Sequence, residues 1–196
     1  MKLLNFRHIC VDMQRVFAED TPWHVEWMER VSPQVTEVAG RFPEATIFTR
    51  FVPPKQAGDL PGKWRDYYEK WPMMTGEHLP PELVDIIAPL RRYVPPARIF
   101  DKFTYSPWHD GRLHHHLVAE NVGSLVITGG ETDVCVLATV LGAIDHGYDV
   151  VLLEDAVCSG TDETHEASLK LLRNRFSVQL SVMTTEAFLA EAKTPA

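Results

Sequence analysis

The chain of 196 residues is long enough to bury one sizeable core and short for two, so a single domain over residues 1–196 is expected. No apolar run approaches the roughly eighteen residues of a bilayer span. The 27 acidic and 19 scattered basic residues leave no basic stripe to follow phosphates, so neither a membrane nor a nucleic acid is an expected partner.

Phe6 to Val11 reads as an apolar first strand. Ser32-Pro33 reads as the cap and first residue of a helix to about Arg41, because proline lacks only a donor that is unpaired there anyway. A second strand is predicted over Ala45 to Phe51. From Val52 to His78, Pro53-Pro54, Gly58, Pro61-Gly62 and Pro72 are mixed with Trp64, Tyr67, Tyr68 and Trp71, which predicts a long irregular excursion of the kind that forms lids or binding loops. Pro80-Pro81 opens a helix to about Tyr93, followed by a third strand over Arg98 to Phe103 and a helix over Gly111 to Glu120. The fourth strand, Ser124 to Thr128, leads through two glycines into a helix capped by Thr132 and running to His146. A strand over Asp149 to Leu153, a helix from Thr161 or Asp162 to Arg175, a strand over Ser177 to Met183 and a short helix from Thr184 complete the chain. Nearly uniform apolar strands alternating with helices predict an α/β fold whose parallel sheet is covered on both faces.

The segment from Met1 reaches Asn5 and Arg7 before any apolar stretch of signal-peptide length, which predicts a cytoplasmic protein. Cys10, Cys135 and Cys158 have no short repeated spacing, so neither a disulfide framework nor a structural zinc site is expected. Cys135 falls in the first turn of the helix after Gly129-Gly130-Glu131. There, unpaired N–H groups and the helix dipole favour an anion, so its thiol pKa is expected to be lowered. A small buried hydrophobe is the other account of a lone cysteine. Asp12 and Lys102, however, also end strands, and the carboxyl edge of an open α/β sheet is where ligands bind.

Three segments together resemble the isochorismatase-like cysteine hydrolases, the superfamily of nicotinamidases, carbamoylsarcosine amidohydrolases and ureidoacrylate-type amidohydrolases. They are Val11-Asp12-Met13-Gln14 with Phe17, Asp101-Lys102 followed by Tyr105-Ser106-Pro107-Trp108, and Gly129 to Val136; Asp155-Ala156 and His165 also suit the family. The resemblance implies a three-layer, doubly wound fold with a six-stranded parallel sheet in the order 3-2-1-4-5-6. It implies a catalytic triad of Asp12, Lys102 and Cys135, a cis peptide between Gly130 and Glu131, and an oxyanion hole from the N–H groups of Glu131 and Cys135. It further implies hydrolysis of a small amide, carbamoyl or ureido C–N bond through a thioester, without a cofactor, by a homo-oligomer such as a dimer or tetramer. In that strand order the third strand lies two places, about 10 Å, from the first, so Lys102 must reach inward along its full length.

Nicotinamidases of the superfamily carry an Asp-x-His metal set just after the second strand, but this chain reads Thr49-Arg50-Phe51-Val52-Pro53 there, so no metal is expected. The consecutive side chains of His114, His115 and His116 point in different directions on a helix. Candidate substrate contacts are Phe17, Arg50, Trp64, Tyr105, Trp108 and Thr132. Arg50, with Lys63 and Arg65 nearby, is a possible clamp for a substrate carboxylate, and the aromatics are possible pocket walls. Three other readings are an isochorismatase-type vinyl-ether hydrolase, a dinucleotide site at Gly129-Gly130, and a noncatalytic binding member of the fold. Cys135 argues against the first, the missing glycine pattern against the second and the complete triad against the third.

Overall fold

In a computed structural model, six parallel strands form one sheet in the order β3-β2-β1-β4-β5-β6. They are β1 Phe6–Val11, β2 Thr46–Phe51, β3 Arg98–Lys102, β4 Ser124–Gly130, β5 Asp149–Cys158 and β6 Leu180–Met183. The structure describes Leu3 and residues 5–192; Met1, Lys2 and Leu4 of the amino-terminal stretch, and residues 193–196, lie outside the described residues. Side chains alternate across the strands, and this sorts the core into two layers. Phe6, Cys10 and Phe48 pack beneath helices α2 Met28–Arg41 and α8 Thr185–Glu191. Ile9, Val11 and Ile47 pack beneath α5 Arg112–Ala119, α6 Leu137–Asp145 and α7 Asp162–Arg175. This is the predicted α/β architecture.

Several boundaries differ from expectation, each for a physical reason. The apolar stripe of α2 begins at Met28 and continues through Val31, Val35 and Val38, so Ser32-Pro33 lies inside the helix and Pro33 costs it one internal hydrogen bond. The helix predicted from Pro80 to Tyr93 is broken. A 3-10 turn covers Pro81–Val84, Ile86 then bridges to Gln14, and a short helix, α4, covers Ala88–Arg91. That bridge takes the Ile87 N–H to Met13 O at 3.0 Å, a tertiary bond that outcompetes a continuous helix. Strand β5 runs five residues past Leu153 because its charged residues find partners: Asp155 Oδ1 accepts from the Thr185 N–H and hydroxyl at 2.8 and 2.9 Å. The excursion between β2 and β3 is not wholly irregular, since it contains α3, Lys63–Lys70. No described helix is long and apolar enough to cross a membrane.

His8 lies fully buried in β1, its ring nitrogens 3.0 Å from Thr46 Oγ1 and 2.8 Å from Thr128 Oγ1. Burial pushes its pKa down to about 3, so folding holds it neutral. The unfolded chain protonates it below about pH 6.5 and the folded chain does not, so stability is lost as pH falls from there toward 3, at up to about 1.4 kcal/mol per pH unit. Urea denaturation across that range is expected to show a shallower decline in His8→Gln. An identical slope in both proteins would remove His8 as the cause.

Candidate active site

Three side chains from three strand ends meet at the carboxyl edge of the sheet. The first is Asp12, the residue after β1, held at φ 48° where the chain turns. Its backbone N–H donates to Thr49 Oγ1 at 3.2 Å, and the Thr49 hydroxyl donates to Asp12 Oδ1 at 2.6 Å, so β2 fixes the carboxylate's direction. Two residues on, the buried Gln14 amide accepts from the Phe51 N–H at 2.6 Å and donates to Phe51 O at 3.1 Å and Val84 O at 2.7 Å. One side chain thereby ties the ends of β1 and β2 to the turn at 81–84.

The second is Lys102, the last residue of β3. Its ammonium spans the intervening strand, forms an ion pair with Asp12 Oδ2 at 2.7 Å and donates to Thr104 O at 3.0 Å and Cys135 Sγ at 3.4 Å. The inward reach that the strand order demanded is achieved with the side chain 5% exposed. Burial alone would depress its pKa, but the charges of Asp12 and Cys135 override that and hold it above the ordinary lysine value.

The third is Cys135. Strand β4 ends at Gly129-Gly130, where Gly129 has φ 108° and any Cβ would stand 2.0 Å from Val11 O, so only glycine lets β4 lie this close to β1. The Gly130–Glu131 peptide is cis. The next turn, Thr132–Val136, is of π type rather than the predicted start of an α-helix: the Glu131 carbonyl accepts from the N–H groups of Val134 (3.1 Å) and Val136 (2.9 Å) and passes over Cys135. Thr132 is not the cap; Glu131 precedes the turn, and the buried Thr132 hydroxyl meets His165 Nδ1 at 2.9 Å. That contact, with the hydrogen bond from the Ser159 hydroxyl to Asp133, fastens the turn to β5 and α7 and takes Thr132 away from any ligand.

The expected lowering of the thiol pKa is not what this environment produces. Burial of Cys135, 6% exposed, and the adjacent Asp12 charge push it up, and Lys102 opposes them only in part. A dipole at the mouth of one turn is weaker than a carboxylate beside the sulfur. The site therefore favours the protonated thiol, with the Lys102 ammonium next to both sulfur and carboxylate. Burial also pushes the other two thiols up, Cys158 to about 12. They belong to the core.

Cys135 opens onto a cavity of about 220 Å³, below the range of drug-sized sites. Phe17 and Tyr105, two of the candidate contacts, line it; Trp23, His24, Phe51 and Tyr67, which the sequence did not single out as contacts, line it as well. Trp64 stands behind Tyr105, ring centroids 4.9 Å apart, and supports the wall rather than forming it. Trp108 is a core residue: its indole N–H donates to Thr139 O at 2.9 Å and its ring is stacked on Tyr148. Arg50 is no free clamp. It pairs in bidentate fashion with Asp101, its neighbour across the β2–β3 register, at 2.7 and 2.9 Å, and its remaining nitrogen faces Asp85 at 3.5 Å. The residues after β2 thus do not fit a metal. Among the described residues, no group of three or more His, Cys, Asp or Glu side chains is gathered to hold one. His114 bonds Tyr148 and stacks on His146, while His116 faces Arg98 and Glu120, so the histidine run diverges as expected.

Against known families, the isochorismatase domain matches residues 7–186, nearly the whole chain. The chain belongs to the isochorismatase family. Isochorismatase family protein 1B of Dictyostelium discoideum is 34% identical over 94 residues, covering 47% of this chain and 44% of that protein. The chain spans about half the length of the curated relatives it matches. Among solved structures, a cysteine hydrolase from Pseudomonas syringae pv. phaseolicola superposes with a TM-score of 0.83 at 24% identity, covering 97% of this chain and 93% of that one. An N-carbamoylsarcosine amidase from Thermoplasma acidophilum superposes with a TM-score of 0.74 at 16% identity, covering 93% and 98%. At these identities the superpositions establish a shared isochorismatase-like fold.

Proposed function

We propose that the protein is a cysteine-nucleophile hydrolase that cleaves the C–N bond of a small amide, carbamoyl or ureido compound through a thioester. The observation that carries this reading is the convergence of Asp12, Lys102 and Cys135, with Cys135 opening onto a small cavity and Lys102 Nζ 2.7 Å from the carboxylate and 3.4 Å from the sulfur. As substrate enters, Asp12 takes the thiol proton and the sulfur attacks the carbonyl carbon, forming a C–S bond while the carbonyl electron pair moves to oxygen. Lys102 keeps its proton and pairs with whichever of its two neighbours is negative. The N–H of Cys135, passed over in the π-type turn, and that of Glu131 serve as the oxyanion donors. Collapse breaks the C–N bond as Asp12 returns its proton to the departing amine. Asp12 then deprotonates a water, which opens the thioester and restores the thiol.

No residue outside this trio is assigned an acid–base role. The three free cysteines are consistent with the expected cytoplasmic setting. Assembly as a dimer or tetramer belongs to the same reading and is measurable by light scattering.

The test is an ammonia-release screen over small amides, carbamates and ureas, followed by intact mass measurement of enzyme quenched in acid during turnover. The expected result is release from at least one compound, with an acyl adduct on the peptide containing Cys135. Turnover with no adduct, and with no acyl hydroxamate when hydroxylamine is added, would exclude the thioester.

A further inference from the structure

Phe17, Trp23, Phe51, Tyr67 and Tyr105 surround the cavity above Cys135 and touch one another. Trp23 has ring centroids 6.3 Å from Phe17, 5.9 Å from Phe51 and 6.0 Å from Tyr67, and Phe51 is stacked on Tyr105 at 6.3 Å. Ring faces are electron-rich, and a box of them attracts a cation that has shed its water. Glu131 also lines the cavity, its carboxyl facing the backbone of Gly160; it is the one acidic residue among the described lining residues. No lysine or arginine is among the described lining residues: the Lys102 ammonium, 5.1 Å from the Phe51 ring centroid, is neutralised by Asp12 at 2.7 Å, and Arg50 is occupied by Asp101 and Asp85. The imidazole of His24 is the only lining group able to carry positive charge. An anionic substrate would therefore meet π faces and a carboxylate with little to offset their repulsion.

We infer that the compound bound here carries a cationic, alkylated ammonium group close to its carbonyl, seated in the aromatic box and paired with Glu131. This names a substrate class for the proposed hydrolase and rests on that reading only for placing the carbonyl at Cys135. The binding group itself is independent of the chemistry. A neutral amide of the same shape would fill the same space without the charge attraction. An acid amide, the class for which Arg50 seemed suited from sequence, would be rejected.

Isothermal titration of the Cys135→Ser protein separates these outcomes, because it reads affinity without turnover. The probes are trimethylammonium acetamide, its tert-butyl isostere and malonamate. The cation is expected to bind roughly tenfold more tightly than the isostere, as one desolvated cation–π site implies, and malonamate more weakly than either. Adding Glu131→Gln should shrink the preference for the cation over the isostere severalfold. Trp23→Leu, which leaves the turn at Cys135 untouched, should shrink it independently. Equal affinity for cation and isostere, tightest binding of malonamate, no binding of any probe, or a preference unchanged in both variants would each overturn the inference. Cation-selective binding combined with no ammonia release from any compound by the wild-type protein would instead leave the box standing and remove the hydrolase.

Discussion

Cys135→Ser is expected to lower turnover on any accepted amide by on the order of 10⁴-fold or more, with the circular dichroism spectrum and urea midpoint close to those of the wild type. A serine hydroxyl occupies nearly the same space beside Asp12 and Lys102 but is a far weaker nucleophile when its base is a single carboxylate. The turn that presents it is fastened by Thr132–His165 and Asp133–Ser159, contacts the substitution does not touch. The result that sinks the assignment is a Ser variant within tenfold of wild type and equally well folded. Cys10 and Cys158, both buried in the opposite layer of the core, give no alternative nucleophile.

Asp12→Asn carries the second large effect, and it separates two roles of one carboxylate. Loss of the base and acid should cost about 10² to 10⁴-fold in turnover. At the same time the Cys135 thiol should become easier to ionise. Burial and the charge of Asp12 push its pKa up, and without Asp12 only burial opposes Lys102. Iodoacetamide labelling followed across pH should therefore show the variant reacting at lower pH than the wild type while turning over far more slowly. Burial of Lys102 without an anionic partner costs about 3 to 5 kcal/mol, so the labelling is done well below the variant's unfolding temperature. A labelling curve that moves upward in pH, or does not move, would show that the carboxylate does not govern the thiol.

That Asp12 and Lys102 end strands and that Cys135 follows a glycine turn was legible locally, whereas their grouping came from the resemblance to the isochorismatase-like hydrolases. The direction of the thiol pKa was not legible, since it depends on the distance between residues 123 positions apart. Arg50 misled for a related reason: a charge at a strand end looks available until the register sets Asp101 opposite it. Trp108 looked like a loop aromatic, but Gly142 of α6 vacates the space it fills, a Cβ there falling 2.1 Å from its ring. Trp23 and His24 sit in a stretch without periodicity, brought to the cavity by the Val25 N–H bonding Phe17 O and by the Thr21 hydroxyl accepting from the Trp23 N–H. No pattern in the chain announces that fold-back.

Asp12, Lys102 and Cys135 stand on the rims of β1, β3 and β4, whereas Trp23 and Tyr105 hang from connecting segments and Tyr67 from α3. Reactivity and selectivity are thus housed in separate strata of the molecule. On the proposed reading, exchanging Trp23, Tyr67 or Tyr105 for smaller or polar residues offers a route to other amides while Asp12, Lys102 and Cys135 stay intact. Loops tolerate such rewriting far better than the strands that support them.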